Sequence, residues 1–272
     1  MSVNNGRTLL SLLIPASLTE ESKDPRIKTY KVGQIARAAA IFRVDEIVIY
    51  RTKGTDDSKF ISTILRYAET PQYLRKEIFP MQDELRHVGV IPPLRTPSHT
   101  VTDEEEYREG IVTKVGTDGN AWVDVGNDSP AMLRDSNVRR GQRVTVRIYS
   151  RRPLTVQLVE RSDVPHYWGY NVRIVNTLHD ALETEGLRIA TSRLGESLSC
   201  EKLSEIQAKV RDKVSVAFGS PSKGLEQLLH DEGHKLEDHS DYVVNSIPNQ
   251  ASATVRTEEA VYITFGLLNI AW

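Results

Sequence analysis

The sequence predicts an α/β protein built on a parallel sheet and split by a small all-β insertion. Three observations carry that reading. Short apolar runs alternate with amphipathic segments in the first third of the chain, the order that builds parallel sheets with helical crossovers. Helical patterning is missing from about Ile91 to Val164, where short β-like runs are separated by Gly and Asp turns. Alternation of the first kind then resumes toward the C-terminus.

In chain order, Leu9–Pro15 reads as a short buried strand. Tyr30–Phe42 reads as a helix with Val32, Ile35, Ala36, Ala39 and Ile41 as its apolar stripe. Glu46–Tyr50 is short and β-rich, and Ser58–Ala68 is an amphipathic helix ended by Thr70-Pro71. The insertion offers β-like runs at Gly110–Val115, Ala121–Val125, Arg143–Tyr149 and Leu154–Val159. About five short strands in this length suggest a small β-barrel of OB type. Beyond it, Asn176–Glu185 fits a helix closed by Gly186, Arg188–Thr191 a strand and Glu201–Arg211 a helix. Lys213–Phe218 fits a strand, Ser222–Asp231 a helix and Tyr242–Asn245 a strand. Thr257–Ile270 fits a last helix, with Thr257 as N-cap and Glu258 and Glu259 in its first turn. The expected division is an α/β domain of residues 1–91 and 166–272 around an insertion of residues 92–165.

A chain of 272 residues can bury two cores. Its net charge of −2 makes it no polyanion binder by composition, so any nucleic-acid surface must be local. Cys200 is the only cysteine, which excludes an intrachain disulfide or a Cys-based zinc site and fits a reducing, cytoplasmic setting. No apolar run approaches the roughly 18 residues of a membrane span. Leu9–Ile14 has only Arg7 before it and a poor cleavage site after it, so it reads as a strand rather than a signal peptide.

Two loops stand where open α/β sheets hold ligands, beyond the carboxyl ends of strands. Gly219-Ser220-Pro221-Ser222-Lys223-Gly224 nearly has P-loop spacing, but Leu225-Glu226 replaces the Lys and Ser/Thr that handle phosphates and magnesium. An NTPase is therefore improbable, and taken alone the loop is a plain βα turn. The stretch from Asn245 to Glu259 is long and polar, and loops of that length in compact domains are usually functional or disordered.

Together and in this order, the two loops resemble the SPOUT class of RNA methyltransferases, whose C-terminal chain forms a trefoil knot. The similarity is closest to the archaeal and eukaryotic branch of RNA uridine N3-methyltransferases with an inserted OB-like domain. It is carried by Gly33-Gln34-Ile35-Ala36-Arg37-Ala38 with Ile41-Phe42-Arg43-Val44, and by Tyr67-Ala68-Glu69-Thr70-Pro71-Gln72-Tyr73-Leu74-Arg75-Lys76 with Phe79-Pro80. Phe218-Gly219-Ser220-Pro221 and the run Pro248–Ala260 complete it. The resemblance implies S-adenosylmethionine as cofactor, held around Thr191, Gly219, Ser220, Pro221, Gly224, Asn245, Ile247, Gln250, Ala251, Ser252 and Thr254. It also implies a homodimer whose partner completes the site. The last helix, with Ala260, Ile263, Leu267, Leu268 and Ile270 on one face, could serve that interface or pack only on its own sheet.

Methyl transfer to an imide nitrogen needs alignment and a base or cation that favours the deprotonated form. Arg37, in the position resembling the SPOUT arginine and among small alanines, is the first candidate; a solvent-exposed helix arginine is the plainer reading. Arg256 is the second, and Glu258 a third, though an acidic first helical turn explains Glu258 equally well.

Between Arg134 and Arg161 stand eight arginines and two acids, Asp135 and Glu160. Arg134, Arg139, Arg140, Arg143, Arg147, Arg151 and Arg152 are expected to face RNA, with Tyr149 and the nearby Tyr167 and Trp168 stacking on bases. The competing reading is a solvated face that balances Asp103–Glu106 and Glu109. His230, His234 and His239 miss the H-E-x-x-H pattern and read as surface histidines at a helix end, so no metal is expected. Two function classes remain: an RNA methyltransferase, or a non-catalytic RNA-binding or assembly protein that keeps the fold.

Overall fold

The computed structural model describes residues 7–102, 106–134 and 137–271; the acids Asp103–Glu105 and Asp135 lie outside the described residues. Two compact units emerge. Of the described residues, one comprises 7–68, 84–94 and 170–271, the other those within 69–83 and 95–169. Residues 69–83, assigned from sequence to the α/β domain, thus fall in the barrel unit.

The first unit is a six-stranded, wholly parallel sheet. The chain lays down β1 (Leu9–Pro15), α1 (Pro25–Ile41), β2 (Glu46–Tyr50) and α2 (Ser58–Glu69). Asp24 caps α1 through Arg26 N–H at 2.8 Å, with Pro25 at the first helical position. That Asp-Pro start lies five residues ahead of the one periodicity gave, because the first turn is polar. The barrel unit then supplies α3 (Arg75–Ile78) and strands β3 to β7, described below. After it come β8 (Asn171–Val175), α4 (Leu178–Leu182), β9 (Leu187–Ser197), α5 (Cys200–Lys209), β10 (Lys213–Ala217), α6 (Leu225–Glu232), α7 (Leu236–His239), β11 (Tyr242–Asn245) and α8 (Thr257–Leu268). The sheet order is β11-β9-β10-β1-β2-β8. β8, unread from sequence, is an edge strand on β2 that exposes Asn171 and Arg173 and packs Val172, Ile174 and Val175 against the cores.

Helices cover both faces of this sheet, which is why its central strands read as continuous apolar runs. Leu10, Leu12 and Ile14 of β1 pack with Val32, Ile35 and Ala36 of α1, Ile61 and Ile64 of α2, Ile206 of α5, and Val261 and Phe265 of α8. Leu13, Val48, Tyr50 and Ala217 face the opposite way, against Leu178 and Leu182 of α4, Leu228 and Leu229 of α6, and Leu236 of α7. The N-cap of α8 is Arg256 rather than Thr257: the Glu259 carboxylate accepts from the Arg256 N–H at 3.0 Å, and Thr257 is already helical. Among the described residues no helix is long and apolar enough to cross a membrane.

The second unit holds a closed five-stranded barrel of β3 (Tyr107–Val115), β4 (Ala121–Asp124), β5 (Ala131–Leu133), β6 (Arg143–Arg151) and β7 (Leu154–Leu158), in the order β3-β4-β5-β7-β6 with β6 returning to β3. β5, only three residues long, has too few alternations to be legible. Val112, Val123, Leu133, Val144, Val146 and Val156 fill the interior.

Two buried carboxylates organise this unit. Glu69 accepts from Arg143 at 2.7 Å and from Arg161 at 2.5 Å. Glu109 accepts from Arg143 Nε at 2.6 Å, from Thr145 Oγ1 at 2.9 Å and from the Trp168 indole. Burial opposes ionisation of Glu69, but the Arg143 and Arg161 guanidiniums outweigh it and hold its carboxyl below the usual range. A lowered folded-state pKa contributes stability that is present above the unfolded value and lost as pH falls through the folded one. Glu69→Gln is therefore expected to cost this unit about 3 kcal/mol at pH 7 and progressively less in acid. Urea unfolding followed by tryptophan fluorescence measures it; equal stability at neutral pH would remove the network's role.

Candidate functional site

The sheet's parallel strands β9, β10 and β11 end side by side, and the chain that leaves them encloses a cavity of about 420 Å³. That volume lies in the range of small-molecule sites, at the strand ends where α/β sheets place them. Three walls are formed by Thr191–Leu194, by Phe218–Gly224 and by residues drawn from Val244 to Ala260.

The first wall exists because β9 is interrupted. β11 pairs with it at Ile189 and Ala190, and again at Glu196 and Ser197, so Thr191–Gly195 loop out of the ladder. The looped segment lies across β11 and the loop that follows. Asn245 Nδ2 donates to Arg193 O at 2.8 Å, Leu198 N–H to Asn245 O at 2.9 Å, and Arg193 Nη1 to Ala253 O at 3.3 Å. Gly195 sits at the crossing, where a Cβ would stand 2.8 Å from Val243 O and from Val244 C.

The second wall is pinned to the first and third. Thr191 Oγ1 donates to Ala217 O at 2.8 Å, and Thr257 Oγ1 to Gly219 O at 3.4 Å. Within it, Ser220 closes the turn by accepting from Lys223 N–H at 2.9 Å. In the third wall the Asn245 side chain also accepts from Ile247 N–H at 2.9 Å, and Gln250 Nε2 donates to Ser252 O at 2.9 Å. The lining alternates apolar groups, such as Phe218, Pro221, Ile247 and Val255, with hydroxyl, amide and backbone polar atoms. This mixture suits a ligand with a flat heterocycle and a polar tail.

Of the residues expected to hold a cofactor, Thr191, Gly219, Ser220, Pro221, Gly224, Asn245, Ile247, Gln250 and Thr254 line the cavity, while Ala251 and Ser252 do not. Arg256 lines it and is exposed. Arg37 does not: its guanidinium is turned onto the Pro93 and Leu94 carbonyls, at 3.2 and 2.5 Å. Nor does Glu258, which is buried with Oε2 lacking a hydrogen-bond partner, and burial holds its carboxyl above the usual range. Glu21, from the β1–α1 loop, is the one carboxylate in the cavity wall among the described residues. It is bound to the buried Lys31 ammonium at 2.5 Å, which also stands 3.9 Å from Glu258.

A family described as "Putative RNA methyltransferase" matches residues 9–268. The chain belongs to this family. It is 41% identical to an uncharacterized protein of Halobacterium salinarum, over 96% of this chain and 98% of that one. It is 34% identical to the human 28S rRNA (uridine-N(3))-methyltransferase, over 95% of this chain and 77% of that protein. The Drosophila melanogaster protein of the same name is 31% identical, over 95% of this chain and 61% of its own length.

Within this family member, the arginines expected to face RNA divide. Arg134, Arg139, Arg140, Arg151 and Arg152 are exposed, and so is Tyr149 at 74%. Arg147 is exposed but paired with Glu106. Arg143 is taken up by Glu69 and Glu109, and Tyr167 and Trp168 are buried. Sequence reasoning missed Glu21 and the Ser192–Leu194 wall. An acidic pair just after the first strand was the available signal for Glu21; nothing local marks the looped-out segment, since β11 creates it by pairing beyond it.

Filling the crossing should open the wall. Gly195→Val is expected to cost about 2–3 kcal/mol in urea unfolding, the scale of an overpacked core. Gly89→Ala, where a Cβ meets nothing within 4 Å, should leave stability nearly unchanged. An equally harmless Gly195→Val would show that the crossing is loose.

Proposed function

We propose that this protein is an S-adenosylmethionine-dependent RNA methyltransferase that methylates N3 of a uridine in a structured RNA such as ribosomal RNA. The observation that carries the reading is the cavity at the β9–β10–β11 strand ends in a chain of this family. Its walls fit the cofactor's chemistry: apolar Phe218, Ile247 and Val255 for a purine, backbone and amide groups for ribose and base edges, and both charge signs for an amino-acid tail. When bound, S-adenosylmethionine supplies a methyl group already activated on a sulfonium. The protein's task is alignment and disposal of the N3 proton.

Glu21 is placed to accept that proton, with Lys31 holding its carboxylate in position. Arg256, at the cavity and unable to deprotonate, stabilises the negative charge that develops on the uracil oxygens. Arg37 stands on a stripe of α1 with Ile27, Tyr30 and Ile41, each of them 47–50% exposed. Ile263 and Ile270 near the α8 end are exposed as well. Exposed isoleucines at helical spacing fit a two-fold homodimer, and in it Arg37 would serve the partner chain's cavity.

Incubation with labelled S-adenosylmethionine and total RNA from cells lacking the gene should place label in one RNA, recovered as 3-methyluridine. Glu21→Gln and Arg37→Ala are each expected to lower turnover about a hundredfold. Mixed and re-paired, they should recover about a quarter of wild-type activity, the share of sites that random pairing leaves intact. Cofactor binding without transfer to any RNA would favour the assembly-protein reading. Failure of the mixture to recover would place both residues in one chain's site.

RNA is expected to dock on the exposed arginines of the barrel unit, away from Arg143. Arg139→Ala with Arg140→Ala should weaken binding across sequences and lower the slope of log affinity on log salt by about 2. An unchanged slope would assign these arginines to solvent.

A further inference from the structure

Three histidines that the sequence scatters between positions 179 and 239 meet on the α4, α6 and α7 side of the sheet. Each of His179, His234 and His239 offers one ring nitrogen, and these lie within 4.8 Å of one another. The His179 and His234 rings stack with centroids 3.9 Å apart, and His239 stands edge-on to them at 4.6 and 5.1 Å. Glu183 Oε1 is 3.6 Å from His179 Nε2 and 3.5 Å from His239 Nδ1. His239 Nδ1 is shut off from solvent and makes no hydrogen bond. The reading of His234 and His239 as plain surface histidines is thereby corrected; of the three read so, His230 alone is exposed.

The backbone that carries these rings is fixed. Glu232, the last residue of α6, accepts from the Leu178 and His179 N–H groups at 3.0 and 2.9 Å. Gly233 follows in the left-handed region at φ +89°, and the next N–H, that of His234, returns to Leu229 O at 2.9 Å. One carboxylate and one glycine turn therefore set His179 and His234 face to face. Leu178, Leu229 and Leu236 are buried beside them.

We propose that His179, His234, His239 and Glu183 form a site for a divalent d-block cation of the zinc class, which clamps α4 to α6 and α7. Four ligands at zinc distances of about 2.0–2.1 Å stand ~3.4 Å apart in a tetrahedron. The two contacts of Glu183 are already at that spacing, and ring rotations close the imidazole separations. Three imidazoles and one carboxylate are a donor set for zinc, nickel or copper; magnesium and calcium require oxygen ligands. A shielded imidazole nitrogen without a hydrogen bond is unfavourable, and an ion would satisfy its lone pair. None of the four residues lines the methyl-transfer cavity, so the ion is structural. It fastens α6, which follows directly on the Phe218–Gly224 wall.

The test uses the untagged full chain, stripped with a chelator and titrated with Zn²⁺ by calorimetry and with Co²⁺ by visible absorption. Expected are about one equivalent per chain, the intense visible bands of tetrahedral cobalt, and a rise in Tm of about 5 °C at saturating zinc. His234→Gln, His239→Gln and the exposed Glu183→Gln should each weaken binding at least about tenfold, whereas His230→Gln should not. Circular dichroism of the stripped variants establishes that they are folded, and Glu183→Gln covers the case in which a histidine variant is not. Absence of stoichiometric uptake would overturn the proposal. So would equal uptake by the triple variant lacking His179, His234 and His239, which would mean an adventitious ion only.

Discussion

The departure of Thr191–Gly195 from β9 is the constraint on which the candidate site depends. Two strands that paired without interruption would leave a bare sheet edge beyond their carboxyl ends. Because β11 resumes pairing only at Glu196 and Ser197, five residues are expelled and become a wall. The expelled segment is not loose: Asn245 bonds to Arg193 with its amide N–H and to Ile247 with its carbonyl, so one side chain ties two walls. Gly195 pays the steric part of this arrangement by having no side chain where β11 passes. The Phe218–Gly224 turn and the loop before α8 are then held at fixed distance from it through Thr191 and Thr257.

Charge is used in two ways in the barrel unit. Net charge is close to zero over the whole chain, yet arginines concentrate between positions 134 and 161. Arg143 and Arg161 turn inward to meet Glu69 and Glu109, carboxylates that would be costly to bury alone. The same ion pairs tie Glu69 and Arg161, which lie outside the barrel strands, to Arg143 of β6 and Glu69 respectively within that unit. Arg134, Arg139, Arg140, Arg151 and Arg152 stay on the surface, where phosphate can compete with water for them.

Beside the cavity the acids also divide by environment. Lys31 is buried between Glu21 and Glu258 but contacts them unequally, at 2.5 and 3.9 Å. Glu21 keeps its salt bridge and reaches the cavity; Glu258 faces inward, where burial favours its neutral form. Two carboxylates that look alike in the sequence are thus set in different environments, Glu258 buried and Glu21 in the cavity wall on the Lys31 ammonium.

Periodicity and composition by themselves determined the α/β class, the ends of β1, β2 and β11, the existence of the barrel and the two loops that line the cavity. Those features are local: an apolar run, a turn residue or a polar loop carries its own signal. Tertiary structure alone decided the rest. β8 and β5 are strands because a neighbour pairs with them, and Thr191–Leu194 form a wall because β11 pairs past them. Arg143 left the expected RNA surface for two buried carboxylates, Arg37 was drawn to the Pro93 and Leu94 carbonyls, and His179 joined two histidines far along the chain. A side chain's partner depends on which distant segment the fold brings within a few ångströms, and no window of the sequence contains both.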